Sequence, residues 1–227
     1  TGRTPNLGAN DGAYIFPLAS QPFGDFRPSV DAAAKAFLGE DIYQQPELSE
    51  MARWFGLQAD PPEILSQPQA PDMLRLENEG GRAFIHTAHY WDRPSHADQL
   101  HVDLWWRGVN LAMDPGTYQY NAPPPWDNPL AAGFIHNTLT VDSQDQMSRA
   151  GRFLWLDWAQ AEVLAHEVDA HGKLRRVTAE HNGYRRLGAR QSGALHQRTL
   201  LKKPDGWEVV DTLMSPKKHT ESHHQVR

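Results

Sequence analysis

The clearest pattern in the chain is an alternation of apolar and polar positions over residues 99–107. Apolar Leu100, Val102, Leu104 and Trp106 alternate with Gln99, His101, Asp103 and Trp105. Successive side chains of a β-strand point to opposite faces, so the pattern predicts a strand with one buried face and one face that carries polar groups.

Shorter segments beyond residue 70 predict a series of further strands. Each is rich in apolar or β-branched residues and is bounded by Gly, Pro, Asn or Asp. They are residues 73–76, 82–89, 111–114, 137–141, 153–166, 175–181, 195–202 and 207–213. Because no helical pattern intervenes, we predict a mainly β fold, built as an antiparallel β-sandwich.

The first part of the chain predicts two short helices. Asp31 is placed to cap a helix over residues 32–38, which Gly39 would end. A second helix over residues 46–55 has Pro in its first turn and stops before Gly56.

A proline-rich connector follows these helices and predicts the main domain boundary near residue 68. The prolines stand at positions 61, 62, 68 and 71 and cannot continue a helix or enter a central strand. We therefore expect a helical part over residues 1–68 and a β-sandwich over residues 69–227. The chain begins inside a turn-rich motif and ends on the polar run 217–227, in which we predict no final helix or strand. We therefore expect a truncated fragment.

Composition narrows the classes of function. Lys and Arg number 22 against 28 Asp and Glu, a net charge of −6, which argues against nucleic-acid binding through overall positive charge. The chain has no Cys, which excludes disulfides, thiolate zinc sites and cysteine nucleophiles. It has no apolar run of the roughly 20 residues that a membrane span needs. It also lacks the nucleophile elbow, the P-loop and the dinucleotide fingerprint.

Three residues near predicted strand ends are candidate metal ligands: His96, Asp114 and His136. Two imidazole nitrogens and a carboxylate oxygen suit zinc or a similar divalent ion. Histidines that are merely exposed or hydrogen-bonded are the alternative. Asp98 and Asp103 are candidates to orient the imidazoles.

Other polar residues are candidates for catalysis or substrate binding. His101 is a ligand, an acid or a solvated strand histidine, and Asn10 is an amide able to hold a carboxylate or simply part of a turn. Tyr118 is a phenol able to transfer a proton or a rim residue. The other candidates are Tyr120, which could donate a hydrogen bond, Arg93 and Arg149, which could pair with a carboxylate, and the tryptophans, one or two of which could stack on sugar rings.

Four motifs in this order resemble the heparinase II/III-type polysaccharide lyases. They are Pro5-Asn6-Leu7-Gly8-Ala9-Asn10-Asp11-Gly12, His96-Ala97-Asp98-Gln99-Leu100-His101, Asp114-Pro115-Gly116-Thr117-Tyr118 and His136-Asn137-Thr138-Leu139-Thr140-Val141-Asp142. The resemblance is dense over residues 1–160. It implies the last helices of an α/α toroid over residues 1–60, followed by the antiparallel β-sandwich of the lyase.

The resemblance also implies an activity and a set of site residues. Family enzymes cleave uronic-acid-containing polysaccharides, glycosaminoglycans among them, by β-elimination. The resemblance assigns His96, Asp114 and His136 to a structural metal site, for which we expect zinc. It supports Tyr118 as a catalytic candidate, and His101, a possible acid, is the other. The residues expected to bind substrate are Asn10, Arg93, Tyr120 and Arg149.

The resemblance leads us to expect an acidic polysaccharide as partner and a periplasmic or secreted location. The chain departs from the family pattern at Pro94, where relatives can carry a catalytic histidine, and the usual catalytic tyrosine lies in helices that would precede residue 1. A non-catalytic carbohydrate-binding or structural sandwich is therefore the main alternative. A metal-dependent glycoside hydrolase with paired carboxylates ranks third.

Overall fold

The computed structural model of the chain describes residues 2–6, 16–58, 72–185, 193–215 and 218–226. The chain divides into two compact units, one of residues 1–4 and 11–70 and the other of residues 5–10 and 71–227. The boundary predicted near residue 68, and the proline-rich connector around it, lie outside the described residues. No helix in the described ranges is long and apolar enough to cross a membrane.

The first unit contains two helices in its described residues, α1 (Arg27–Leu38) and α2 (Glu50–Trp54). The prediction that Asp31 caps a helix is wrong, because α1 begins one turn earlier with Pro28 in its first turn. Asp31 is instead buried, and its carboxylate accepts a hydrogen bond from Lys35 Nζ at 3.0 Å. The helix ends before Gly39, whose φ of 67° is the left-handed conformation that glycine adopts easily.

The second unit is built from antiparallel sheets. One sheet has the order β1 (Met73–Glu77), β2 (Gly81–His86), β3 (Val102–Trp106) and β4 (Val109–Ala112). A separate hairpin follows, made of β5 (Ser148–Gly151) and β6 (Leu154–Leu156). The larger sheet contains β7 (Ala161–Val168), β8 (Leu174–His181), β9 (Leu195–Lys203), β10 (Gly206–Ser215) and β11 (Lys218–Val226), and its strands lie side by side in that order.

The two larger sheets share one hydrophobic core. Ile85 and Leu104 from the first sheet pack in the same buried cluster as Val177 and Leu200 from the second. Burial of such side chains contributes roughly 1.5–3 kcal/mol each. The mainly β, antiparallel sandwich preceded by short helices is thus confirmed.

Several predicted strands have different bounds or do not form. The alternating segment 99–107 is a strand only from Val102, because Leu100 has a φ of 60° and breaks the extended backbone. The segment 153–166 is two strands, β6 and β7, since Asp157 has a φ of 54°. The prediction that the polar run 217–227 contains no helix or strand is wrong. Its residues 218–226 form β11, and every residue of β11 pairs with a residue of β10.

The strand predicted over residues 137–141 is wrong in a way that matters for the site. Its polar groups bond mainly to side chains. The carbonyl of Asn137 accepts from Arg198, the carbonyl of Leu139 accepts from Tyr184, and Thr138 Oγ1 donates to the carbonyl of Gln99. This segment is therefore an exposed to half-buried connection, and side chains make several of its hydrogen bonds.

Candidate metal centre

Three connections of the sandwich bring His96, Asp114 and His136 together. His96 lies between β2 and β3, Asp114 follows β4, and His136 follows a 3-10 turn over Gly133–Ile135. All three are buried. His96 Nδ1 lies 3.1 Å from His136 Nε2 and 3.3 Å from Asp114 Oδ2, and His136 Nε2 lies 3.3 Å from Asp114 Oδ2.

Hydrogen bonds outside this triangle orient its ligand atoms. His136 Nδ1 donates to the carbonyl of Ala132 at 2.9 Å, so the lone pair of a neutral ring is on Nε2, inside the triangle. Asp114 Oδ1 accepts from the backbone N–H of Gly116 at 2.7 Å, which leaves Oδ2 facing the imidazoles. Such outer partners are typical of metal-binding histidines and carboxylates.

The donor set and its spacing fit a divalent ion. Tetrahedral zinc with bonds of about 2.0–2.1 Å to nitrogen and oxygen holds its ligand atoms about 3.3 Å apart. The three atoms of the triangle have nearly this separation. The cluster could therefore hold a metal ion, and its residues include the three that the sequence analysis predicts as ligands. The role of each residue stays a prediction.

Asp98 joins the same group from the other side. Together with the three predicted ligands it offers atoms that all lie within 4.8 Å of one another. Its Oδ2 lies 3.3 Å from His86 Nδ1, and its Oδ1 accepts a hydrogen bond from the Tyr90 hydroxyl. Asp98 is thus either a further ligand or the acceptor that orients its neighbours.

The charges in the cluster reinforce one another. Burial by itself raises the pKa of Asp114, but hydrogen bonds from His136 and His96 outweigh it and hold that pKa well below its usual range. Burial likewise opposes ionisation of Asp98, and the charge of His86 outweighs it and lowers the pKa. The pKa of His136 is raised, because Asp114 and Asp98 outweigh the effect of burial. The two ionised carboxylates therefore stabilise a positive charge in their midst.

His101 lies behind this cluster and is 1% exposed, so the interpretation as a solvated strand histidine is wrong. Its Nδ1 accepts a hydrogen bond from the backbone N–H of Asn137 at 3.1 Å, and burial lowers its pKa to about 4. A neutral ring at this place holds the segment that carries His136. Its catalytic role stays a prediction, and its burial favours a positioning role.

The other predicted site residues differ in exposure. Tyr118 is 65% exposed, and Tyr120 is half-buried with its hydroxyl 3.4 Å from Thr117 Oγ1. Arg93 donates to the carbonyl of Phe153, and Arg149 donates to the carbonyl of Asp127. Asn10 lies outside the described residues.

Sequence reasoning missed a buried polar network next to the cluster. Arg198 forms a two-bond ion pair with Asp211 and donates a third and fourth bond to the carbonyls of Leu100 and Asn137. Those carbonyls directly precede His101 and follow His136. The sequence did contain one sign of this network. His196, Arg198 and Leu200 stand at every second position of β9, and all three are buried, whereas the residues between them are half-buried.

Two histidines extend this network as neutral rings. The backbone N–H of Gly183 donates to His181 Nδ1, His181 Nε2 faces His196 Nδ1 at 3.0 Å, and His196 Nε2 donates to Asp211 Oδ1. Every ring nitrogen already has a partner in the neutral state. Burial lowers the pKa of both rings, and the positive charge of Arg198 adds to it.

This network predicts acid sensitivity. A histidine with a lowered pKa takes up its proton on unfolding, so stability falls as pH drops below about 6.5, by at most about 1.4 kcal/mol per pH unit and histidine. We expect His181→Gln to lose less free energy of unfolding between pH 7 and pH 5 than the unmodified chain. Urea denaturation at each pH measures this. Equal losses, or the same change in the exposed control His171→Gln, would contradict the prediction.

Comparison with known proteins assigns a family to the second unit. A family model described as "Heparinase II/III-like, C-terminal" matches residues 74–227. No curated protein sequence matches the chain.

Solved structures show the same fold. A mutant of the heparan sulfate lyase HepC from Pedobacter heparinus is 17% identical, with a TM-score of 0.52 over 94% of this chain and 30% of that chain. The HepC structure without the mutation is 16% identical, with a TM-score of 0.50 and the same coverage. A heparinase III is 13% identical over 74% of this chain and 24% of that chain, with a TM-score of 0.48. The chain thus spans less than a third of the length of these structures.

Proposed function

We propose that this chain, which belongs to the heparinase II/III-like C-terminal family, is the sandwich part of a polysaccharide lyase that cleaves uronic-acid-containing glycans by β-elimination. The observation that carries the proposal is the buried triangle of His96, Asp114 and His136, since this set of potential metal ligands lies within the residues that match the family. The loops that bear His96 and Asp114 continue directly into exposed arginine and tyrosine side chains. The potential metal ligands and the side chains that we assign to the glycan therefore lie on the same loops.

The reaction defines what such a site must do. A base removes the proton on C5 of the uronate, and the C5–H electrons form a double bond to C4. The C4–O bond breaks with its electrons, and the leaving oxygen takes a proton from an acid. No water is consumed. Because negative charge spreads onto the uronate carboxylate as C5 ionises, the site needs cationic or hydrogen-bonding groups at that carboxylate.

The exposed residues of this chain match parts of that demand. We assign proton transfer to the leaving oxygen to Tyr118, whose ring is 65% exposed on the loop that begins at Asp114. We assign contact with the carboxylate to Arg93, Arg149 and Tyr120, together with Asn10. His101 is buried, so we give it the task of holding the Asn137 backbone rather than contact with the glycan.

We assign the metal site to zinc held by His96, Asp114 and His136, which would supply a fixed positive charge between three connections of the sandwich. This chain's residues do the positioning. The Ala132 carbonyl and the Gly116 amide direct the ligand atoms inward. Acidic polysaccharides of this kind are extracellular, so we infer a periplasmic or secreted enzyme.

The proposal predicts unsaturated products. We expect the longest natural protein that contains this sequence to produce a rise in ultraviolet absorbance, from the new conjugated double bond, on at least one of heparan sulfate, hyaluronan or alginate. Tyr118→Phe should lower kcat by about 10²–10⁴-fold, the range typical of a lost proton-transfer group, and change KM little. Mass spectrometry should show products lighter by one water than hydrolysis products.

Two outcomes would contradict the proposal. Reducing ends without unsaturation indicate the glycoside hydrolase alternative. Glycan binding without any product, from folded protein, indicates the non-catalytic binding module.

A further inference from the structure

Two pairs of aromatic rings, three of them exposed and one half-buried, flank the loops of the metal cluster. Tyr118 and Trp126 lie with ring centroids 6.2 Å apart at 70°, and they are 65% and 56% exposed. They line a shallow cavity of about 370 Å³ with Gln119 and Leu130. Tyr120 and Phe153 form the second pair, at 5.0 Å and 70°. Exposed aromatic faces of this kind suit the apolar face of a sugar ring.

Three exposed arginines contact residues of the segments that carry these rings. Arg152 Nη1 donates to Asn121 Oδ1 at 3.3 Å, Arg149 donates to the carbonyl of Asp127, and Arg93 lies 6.0 Å from the Phe153 ring centroid. In the described ranges no carboxylate lies within ion-pair distance of any of the three. On the strands of the same unit, by contrast, exposed arginines pair with glutamates: Arg75, Arg82, Arg175 and Arg176.

The chain as a whole carries a net charge of −6, so these arginines are a local positive group. None of the three arginines has an ion-pair partner in the described ranges, and a backbone or amide oxygen holds each of them in place. A guanidinium fixed in this way can offer its remaining N–H groups to an anion with little further loss of entropy. The charge of Asp145 partly compensates Arg149, whereas the guanidinium of Arg152 is held by the neutral Asn121 amide.

We propose that Tyr118, Trp126 and Arg152 form a subsite for one acidic sugar, with a pyranose ring on the aromatic pair and its anionic group at the guanidinium. The proposal rests on the proposed function for the ligand class, an acidic glycan. It adds a place on the sandwich and two residues, Trp126 and Arg152, that the reaction itself does not require.

Binding of defined oligosaccharides tests the subsite on the 227-residue chain itself. The probes are a heparosan tetrasaccharide, which carries carboxylates only, its carboxyl-reduced form, which is neutral, and a heparan sulfate tetrasaccharide, which adds sulfates. Trp126→Ala should weaken binding of heparosan and of its neutral form alike, by about ten-fold. Arg152→Met should weaken heparosan about ten-fold and leave the neutral probe unchanged. If Arg152→Met weakens only the binding of the heparan sulfate tetrasaccharide, the anion that Arg152 binds is a sulfate group.

The control is Trp91→Ala, which removes a tryptophan that is 78% exposed and contacts His89, a residue that lines a different cavity. Its affinities should equal those of the unmodified chain, and all variants should keep their melting temperature. Unchanged affinity in both Trp126→Ala and Arg152→Met, or no binding of any probe by the unmodified chain, would overturn the subsite. The predicted binding results could also come with a longer protein that has no lyase activity. That outcome would count against the proposed function alone and leave the subsite standing.

Discussion

Arg198→Met is expected to lower the free energy of unfolding by about 3–5 kcal/mol, the cost of removing one partner of a buried ion pair. Asp211 is 4% exposed and would remain charged without its partner. The carbonyl of Leu100 would also lose the Arg198 donor, 98 residues away in sequence, and the carbonyl of Asn137 would keep only the backbone N–H of Val102. Since the whole stability of a domain is about 5–15 kcal/mol, this single change removes a large part of it. Urea denaturation measures the loss.

A matched variant separates this effect from the loss of any arginine. Arg176 lies on the neighbouring strand β8, and its ion pair with Glu167 is exposed, so Arg176→Met should cost less than about 1 kcal/mol. The double variant Arg198→Met/Asp211→Leu should recover part of the lost stability, because no buried charge is then left unpaired. An Arg198→Met variant as stable as Arg176→Met would show that the network contributes nothing.

His136→Ala is expected to abolish the stabilisation that metal gives the sandwich. A ligand at a thousand times its Kd stabilises the folded state by about 4 kcal/mol, which corresponds to a rise in Tm of about 10 °C for a chain of this size. We therefore expect a chelator to lower the Tm of the unmodified chain by that order. The melting temperature of His136→Ala should not respond to the chelator, and the same holds for His96→Ala and Asp114→Ala.

Elemental analysis of the same samples checks the cause. The unmodified chain should carry close to one divalent ion, and the three ligand variants should carry almost none. His171→Ala, which removes an exposed histidine, should keep both the metal and the chelator response. Full metal content in all three ligand variants would contradict the assignment.

The strands were predictable where side chains alternate and the backbone bonds to a neighbouring strand. β8 and β9 are found within one residue of their predicted bounds, because one face of each is buried against the other sheet. Residues 137–141 have the same kind of composition but form no such ladder. Arg198 and Tyr184 donate to their carbonyls, and no local pattern indicates partners that are so distant in sequence.

The metal cluster, too, could be predicted from the sequence only in part. The residue types and the family resemblance nominated His96, Asp114 and His136, whose ligand atoms the fold brings within 3.3 Å. The presence of Asp98 in the same group depends on how the backbone turns between β2 and β3. The role of Arg198 depends on the contact between the two sheets, and only its inward position on β9 was visible in the sequence.

Two imidazoles and a carboxylate around one ion are the most direct mark of the proposed centre. X-ray absorption at the zinc edge, on the chain loaded with one equivalent and dialysed, observes them. We predict nitrogen and oxygen neighbours at about 2.0–2.1 Å, with the outer-shell scattering of two imidazole rings, and no retained zinc in His136→Ala. A spectrum without imidazole scattering, or a chain that retains no metal after dialysis, would contradict the centre and leave a sandwich with ordinary buried histidines.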